Sequence, residues 1–340
     1  MRQYGHATSK IITDLECVPE TVTTNHLAYP AVCCGCGHST EPNVPGIPGT
    51  CIGANLASAI TGLYSMPGSL GSVRTALYEI FGIRISKAAV QHCLQAVSGA
   101  LEHDAGGIAA DMSDSEHLHM DETVIIVDGR QGYVWIAVGK RGGAADAVLV
   151  KVAGGRGGAV LDCCFPYGHI PVTVDGYSQY ESRFPVMQRC WAHVLRDARD
   201  LCGAGRRHHD LYVRLKDVFH RAKLLEPDPD NRKQYEVMVE QTAQIADKYS
   251  ALGLGFGRTL DHAAPNLFTF LLHPGMEPTN NLAERSLRPS VIARKIRRAL
   301  KTTDGMRMFG VLMTCIMTWR ARGQDVSQML RSRMIGTMDG

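Results

Sequence analysis

The sequence lacks three things that would have placed it quickly. It has no long hydrophobic run: the most apolar late stretch, "GVLMTCIMTW", covers ten residues, about half of what a helix needs to cross a bilayer. It has no long apolar run in its first 30 residues, which argues against a secretory leader. It has no marked excess of charge, only +3 overall, so the whole-chain balance says little about partners. Together these absences point to a cytoplasmic protein with no membrane partner. Eleven cysteines in a chain without a leader read as free thiols or metal ligands rather than disulfides.

What is present is uneven along the chain. Residues 1 to 50 are rich in Pro, Gly, Thr and Cys and show no helical period. Residues 51 to 103 change character. Ile52, Leu56, Ile60 and Leu63 recur at helical spacing, and so do Leu70, Val73, Leu77 and Phe81. Gly82 is placed as a C-terminal cap, and Ser86 opens a third helix carrying Val90, Leu94, Val97 and Leu101. Helix, glycine turn and helix give the outline of a helix-turn-helix, with Arg84, Lys87, Gln91 and His92 as residues to face DNA. An ordinary helical hairpin in the core fits the same pattern.

From residue 117 the period switches to two. "HLHMDETVIIV", the turn "DGRQG" and "YVWIAVG" predict a hairpin, "DAVLVKV" a third strand, and residues 154 to 165 a glycine-rich loop with a short helix. "HIPVTVDGY" predicts a buried strand ending at Asp175, and "VMQRC" one more short strand. Helices follow, with a break at "EPDPDN"; the helix after Pro278 is expected to break at Pro289. The fold class is α/β: a mixed sheet with flanking helices.

Three acids stand out by context: Asp121 inside an apolar strand, Asp175 at a strand end, and Glu284 in "PTNNLAERSLRP". An unpaired carboxylate in such a strand costs several kcal/mol, so a cation is a natural companion. Three converging carboxylates make a hard oxygen site for Mg²⁺ or Mn²⁺, and two such ions serve in-line phosphoryl displacement. Each acid also has a plainer explanation. Asp121 suits a strand end, Asp175 with Gly176 a turn, and Asn281 with Glu284 a capping box. Residues 284 to 303 carry seven basic residues against one acid, a local +6. Cys190 and His193 in "CWAH" sit three residues apart; two ligands do not make a structural zinc site, and a packing or DNA-contacting role is the plainer reading. Trp191 reads as core.

Several blocks taken together resemble the insertion-sequence-66 family of DDE transposases. They are "AVCCGCG", "GANLASAITGLYSMPGSLGSVRTALYEIFGIRISKAAV", "HMDET", "VDGYSQY", "CWAHVLRDARD" and "PTNNLAERSLRPSVIARKIRRALKTTDG". The resemblance runs from about residue 6 to residue 330. It implies an RNase H-like domain over residues 113–330 with a helical insertion at about 201–270, preceded by a helical, helix-turn-helix-like domain over 51–112 and a zinc-finger-like segment over 1–50, and followed by a tail over 331–340. It implies Asp121, Asp175 and Glu284 as catalytic metal ligands for two Mg²⁺ or Mn²⁺ ions that serve strand cleavage and strand transfer. Asn280, Asn281 and His193 would orient the site. Arg285, Arg288, Arg294, Lys295, Arg297 and Arg298 would contact phosphates. DNA, further copies of the chain and element-encoded accessory proteins would be the partners. Cys33 and Cys36 supply half of a zinc site. The family's preceding cysteine pair has no counterpart here, where only His6, Cys17 and His26 lie upstream. The chain reads as starting inside the zinc module, without the family's DNA-binding leader, and residues 1 to 50 are then expected to lack order. The alternatives are a non-catalytic DNA-binding remnant and an RNase H-like nuclease.

Overall fold

The computed structural model describes residues 20–27, 29–40, 46–47, 50–66, 68–297, 299–300 and 302–336. His6, Cys17, Arg298 and Lys301 therefore lie outside the described residues. So does much of the stretch expected to lack order. Within it, β1 (Ala31–Val32) and β2 (Ser39–Thr40) pair as a small antiparallel hairpin.

Four helices follow: α1 (Ala54–Ser65), α2 (Leu70–Phe81), α3 (Lys87–Ala100) and α4 (Glu102–Asp111). Gly82 ends α2 at φ 68, the left-handed conformation that glycine adopts without a Cβ clash. Ser86 caps α3, its side chain accepting from the Ala89 amide. The four apolar residues at helical spacing in α3 and its end, Val90, Leu94, Val97 and Leu101, are all fully buried.

The sheet begins with a meander: β3 (His117–Val127), β4 (Arg130–Arg141) and β5 (Ala144–Ala153). β3 and β4 are joined by Asp128 and Gly129 alone, both at positive φ (47 and 73), the two-residue turn that suits strand twist. After α5 (Gly158–Cys164), two short strands, β6 (Val172–Val174) and β7 (Met187–Arg189), run parallel to β3. The order across the mixed sheet is β5-β4-β3-β6-β7. Val134 to Val138 in β4 are buried on both faces, as expected of a central strand covered on each side.

Then come α6 (Trp191–Asp200), α7 (Arg206–Ala222), α8 (Arg232–Ala251) and α9 (Phe256–Leu267), which gather around a core of their own. Trp191 sits at its centre, fully buried and stacked on Phe219 at 5.0 Å. The chain returns through α10 (Asn281–Arg297), touches β3 with β8 (Ala299–Leu300), and ends in α11 (Thr303–Ala321) and α12 (Val326–Gly336). α1 to α4, the sheet, α10, α11 and α12 share one hydrophobic cluster. The expected break at Pro289 does not occur: α10 runs through it. Ala283, Leu287, Ser290 and Ala293 bury one continuous stripe, and that packing outweighs the one backbone bond a proline forfeits.

β5 is an edge strand, and α11 closes that edge. The Thr314 hydroxyl accepts from Val150 N at 2.9 Å and donates to Val150 O at 3.3 Å. The Thr318 hydroxyl does the same for Val148, at 2.9 and 3.1 Å. Gly310, one turn earlier, lets the helix come close; a Cβ there would stand 3.1 Å from Val150 O. An exposed strand edge is a template for unwanted pairing, and this stripe of Gly, Thr and Thr removes it.

Candidate active site

β3 pairs in parallel with β6, Leu118 opposite Val172 and His119 opposite Thr173. The same offset carries Asp121 level with Asp175, the residue just past the end of β6. Adjacent strands lie about 4.8 Å apart, so the two carboxylates are neighbours on one face. Each is aimed by a backbone amide. Asp121 Oδ1 accepts from Glu122 N and Asp175 Oδ1 from Tyr177 N, both at 2.9 Å. Burial pushes the Asp121 carboxyl up to about 7, and the charges of Asp175, Glu122 and Glu284 push it the same way.

Glu284 reaches this face from the first turn of α10. The bolt is Asn280: its side-chain NH₂ donates to Met120 O at 2.7 Å, and its Oδ1 meets His119 Nδ1 at 3.3 Å. Asn280 and His119 are both fully buried. The expected capping box is therefore corrected: Asn281 is the first residue of the helix, exposed, and Asn280 precedes it. Glu284 donates its amide to Asn280 O at 3.1 Å, one turn into the helix. Its Oε2 lies 3.9 Å from Arg196. Its Oε1 lies 3.6 Å from His193 Nδ1, and both of those atoms are sealed from solvent without a hydrogen-bond partner. Cys190 Sγ accepts from Asn280 N at 3.1 Å. Ligand atoms of Cys190, His193 and Glu284 fall within 4.8 Å of one another. Asp121, Asp175 and Glu284 are not gathered that tightly.

The pleat sends Glu122 to the other face from Asp121, where it is 2% exposed and meets Arg156 at 2.5 Å. Tyr180 donates to its second oxygen at 2.7 Å. The Arg156 guanidinium lies 3.9 Å over the Tyr177 ring and 3.9 Å from Asp175 Oδ2. Its main partner is Glu122, so Asp175 is not locked in a tight ion pair. Sequence reading missed Glu122, Arg156, Tyr177 and Tyr180. Glu122, Tyr177 and Tyr180 lie inside the blocks "HMDET" and "VDGYSQY", and Arg156 is the lone arginine of the loop "GGRGG".

The basic residues divide. Arg285, Arg288 and Lys295 are exposed along one side of α10. Arg294 instead turns to the sheet, donating to Val124 O at 2.8 Å and Thr123 Oγ1 at 3.2 Å. Arg297 lies in the last turn of α10. Arg84 stacks on Tyr78 at 5.2 Å, and Lys87 is exposed at the start of α3. Cys33, Cys34 and Cys36 are exposed in the β1–β2 hairpin. Backbone amides of Cys36 and Gly35 hold the Cys33 thiol below its ordinary value. Among the described residues, nothing completes a group of three metal ligands with Cys33 and Cys36. No described helix is long and apolar enough to cross a membrane.

A family model described as transposase IS66 family matches residues 53–308 of the 340. No curated protein matches the chain.

Proposed function

This chain belongs to the IS66 family of transposases, and from that premise we propose that it cuts DNA at the ends of a mobile element and joins the freed 3′-hydroxyl to target DNA. One observation carries the reading: the register that sets Asp121 beside Asp175 on the face that Glu284 enters. An antiparallel meander followed by two strands parallel to its first strand, with a helical insertion between β7 and α10, supports an RNase H-like catalytic domain over 113–330. Residues 51–112 would form the helical unit that meets DNA through α2 and α3.

The donor set fits hard divalent cations. Three carboxylates crowd one face, one of them pushed up to about 7 by burial and, next, by the charges of its acidic neighbours. Mg²⁺ or Mn²⁺ held by Asp121, Asp175 and Glu284 would supply Lewis-acid activation of the nucleophile and neutralise charge developing on the phosphate. The protein's own residues do the rest. The Glu122 and Tyr177 amides fix the two aspartates in direction. Asn280 fixes the height of Glu284 above the sheet. Arg156 stands beside Asp175 with 39% of its side chain exposed, within reach of a phosphate laid across the acids. Arg285, Arg288 and Lys295 grip the DNA backbone. The active species would be a homo-oligomer on paired ends, with element-encoded accessory proteins as further partners. A zinc ion on Cys33 and Cys36 would need ligands from beyond the described residues.

The test is nicking of an oligonucleotide that carries the element end. Nicking should require Mg²⁺ or Mn²⁺ and vanish in Asp121→Asn, Asp175→Asn and Glu284→Gln while end binding persists. A wild-type protein that binds the end and never nicks it is a DNA-binding remnant.

A further inference from the structure

Cys190, His193 and Glu284 place three different donors at one point: a thiol, an imidazole and a carboxylate, all within 4.8 Å. Cys190 is the residue before α6, His193 lies one turn on, and Glu284 comes from α10. His193 Nδ1 and Glu284 Oε1 face each other at 3.6 Å, beyond hydrogen-bond range, buried and unpartnered. Buried polar atoms normally find a partner, and here each lacks one on the side where the other stands. A tetrahedral ion with bonds of about 2.0–2.3 Å sets its ligands about 3.3–3.8 Å apart, and 3.6 Å falls inside that range. The mixture of thiolate, imidazole and carboxylate suits Zn²⁺ and not Mg²⁺, which prefers oxygen alone. Thiolate and carboxylate together balance a divalent charge. Arg196 approaches only the opposite oxygen, Oε2.

We propose that Cys190, His193 and Glu284 form a binding site for a thiophilic divalent cation of the Zn²⁺ class, and that filling it draws Glu284 away from Asp121 and Asp175. The first half stands on the geometry of the three donors; the second rests on the catalytic reading above. Three protein ligands leave a fourth position for water. The site is inhibitory: Zn²⁺ opposes Mg²⁺ through the one carboxylate they share.

Co²⁺ is the probe, because a thiolate ligand gives it a sulfur-to-cobalt charge-transfer absorption. The experiment uses the full chain with Cys33, Cys34 and Cys36 changed to Ser, stripped of metal. One equivalent of Co²⁺ should give the absorption, Zn²⁺ should displace it and Mg²⁺ should not. Cys190→Ser should abolish the absorption. Because Cys190 is buried, circular dichroism checks that variant, and His193→Ala provides a second test, weakening Co²⁺ binding about tenfold or more. No charge-transfer absorption in the folded protein, or one that survives Cys190→Ser, overturns the site. The two readings fail separately. Mg²⁺-dependent nicking without the absorption overturns the zinc site alone. The absorption without nicking overturns the catalytic reading alone. Both together, with nicking insensitive to Zn²⁺, overturn the link between them.

Discussion

Asp121 and Asp175 stand level on adjacent strands because β6 keeps one constant register against β3. Two like charges held side by side in a half-buried setting repel each other, and among the described residues no cation sits tightly against them: Arg156 reaches Asp175 only at 3.9 Å. A cation that binds them binds the folded state alone. Mg²⁺ or Mn²⁺ at a hundred times its Kd should therefore stabilise the protein by about 2.7 kcal/mol. Asp121→Asn should make the metal-free protein more stable than wild type by a few kcal/mol at pH 8, since it deletes the most strained charge, and should abolish the metal effect. Thermal melts with and without Mg²⁺ measure both. A metal-induced shift as large in Asp121→Asn as in wild type would separate the cation from these acids.

The same face carries two groups whose pH dependences oppose each other. Burial lowers His119 from its ordinary 6.5 to about 4, so the fold binds that proton more weakly than the unfolded chain does. Stability from His119 is present above 6.5 and is lost as pH falls toward 4. Asp121 is raised from 3.8 to about 7, so the fold binds its proton more tightly, and stability from it is lost as pH rises through that span. In chelator between about pH 4 and 6.5 the wild type should show a shallow slope. Asp121→Asn should gain stability as pH rises, and His119→Gln should lose it. Urea midpoints across that range decide the matter; equal slopes in the two variants would exclude the opposition.

Adjacent asparagines should behave as opposites. Asn280 is buried and holds Met120 O and His119, whereas Asn281 is exposed. Asn280→Ala leaves a buried carbonyl unpaired and should cost about 1–3 kcal/mol. It should also slow nicking by loosening the first turn of α10. Asn281→Ala should stay within about 0.5 kcal/mol of wild type. Urea unfolding of the two variants suffices, and similar losses would remove Asn280 from its role as the bolt.

How much of this was legible in advance depends on range. Gly82 and Ser86 were readable because a cap acts within a few residues; "DGRQG" located the turn but overstated its length, since β4 already begins at Arg130. The two aspartates stood out because Asp121 lies inside an apolar strand and Asp175 directly follows one. Which asparagine precedes α10 was not readable. "NN" offers two candidates, and the choice was made by Met120 and His119, some 160 residues away. Pro289 looked like a break because sequence shows the lost bond and not the packing that compensates it. Glu122 and Arg156 were hidden because their pairing joins a strand to a distant loop. The metal-like cluster was half visible: "CWAH" gave two donors, and the third arrives only because the start of α10 meets the start of α6. Arg294 was a legible point that was overlooked, since it continues the Ala283, Leu287, Ser290 spacing that faces the sheet.

That spacing yields the last prediction. Arg285, Arg288 and Lys295 point to solvent from the side of α10 opposite its buried stripe, so their charges are free to meet phosphate. Each phosphate neutralised adds about 0.9 to the slope of log affinity against log salt. Replacing all three by Ala should therefore flatten that slope by about 2.7 and leave the melting temperature nearly unchanged. Arg294→Ala should do the reverse. Its guanidinium is committed to Val124 O and Thr123 Oγ1, so its loss should cost about 1–2 kcal/mol of stability and leave the salt slope of the folded protein alone. Fluorescence anisotropy on an element-end duplex at several salt concentrations, paired with thermal melts, reads both quantities. A triple variant that keeps the wild-type slope would take α10 out of the DNA interface, whatever the total charge of the stretch.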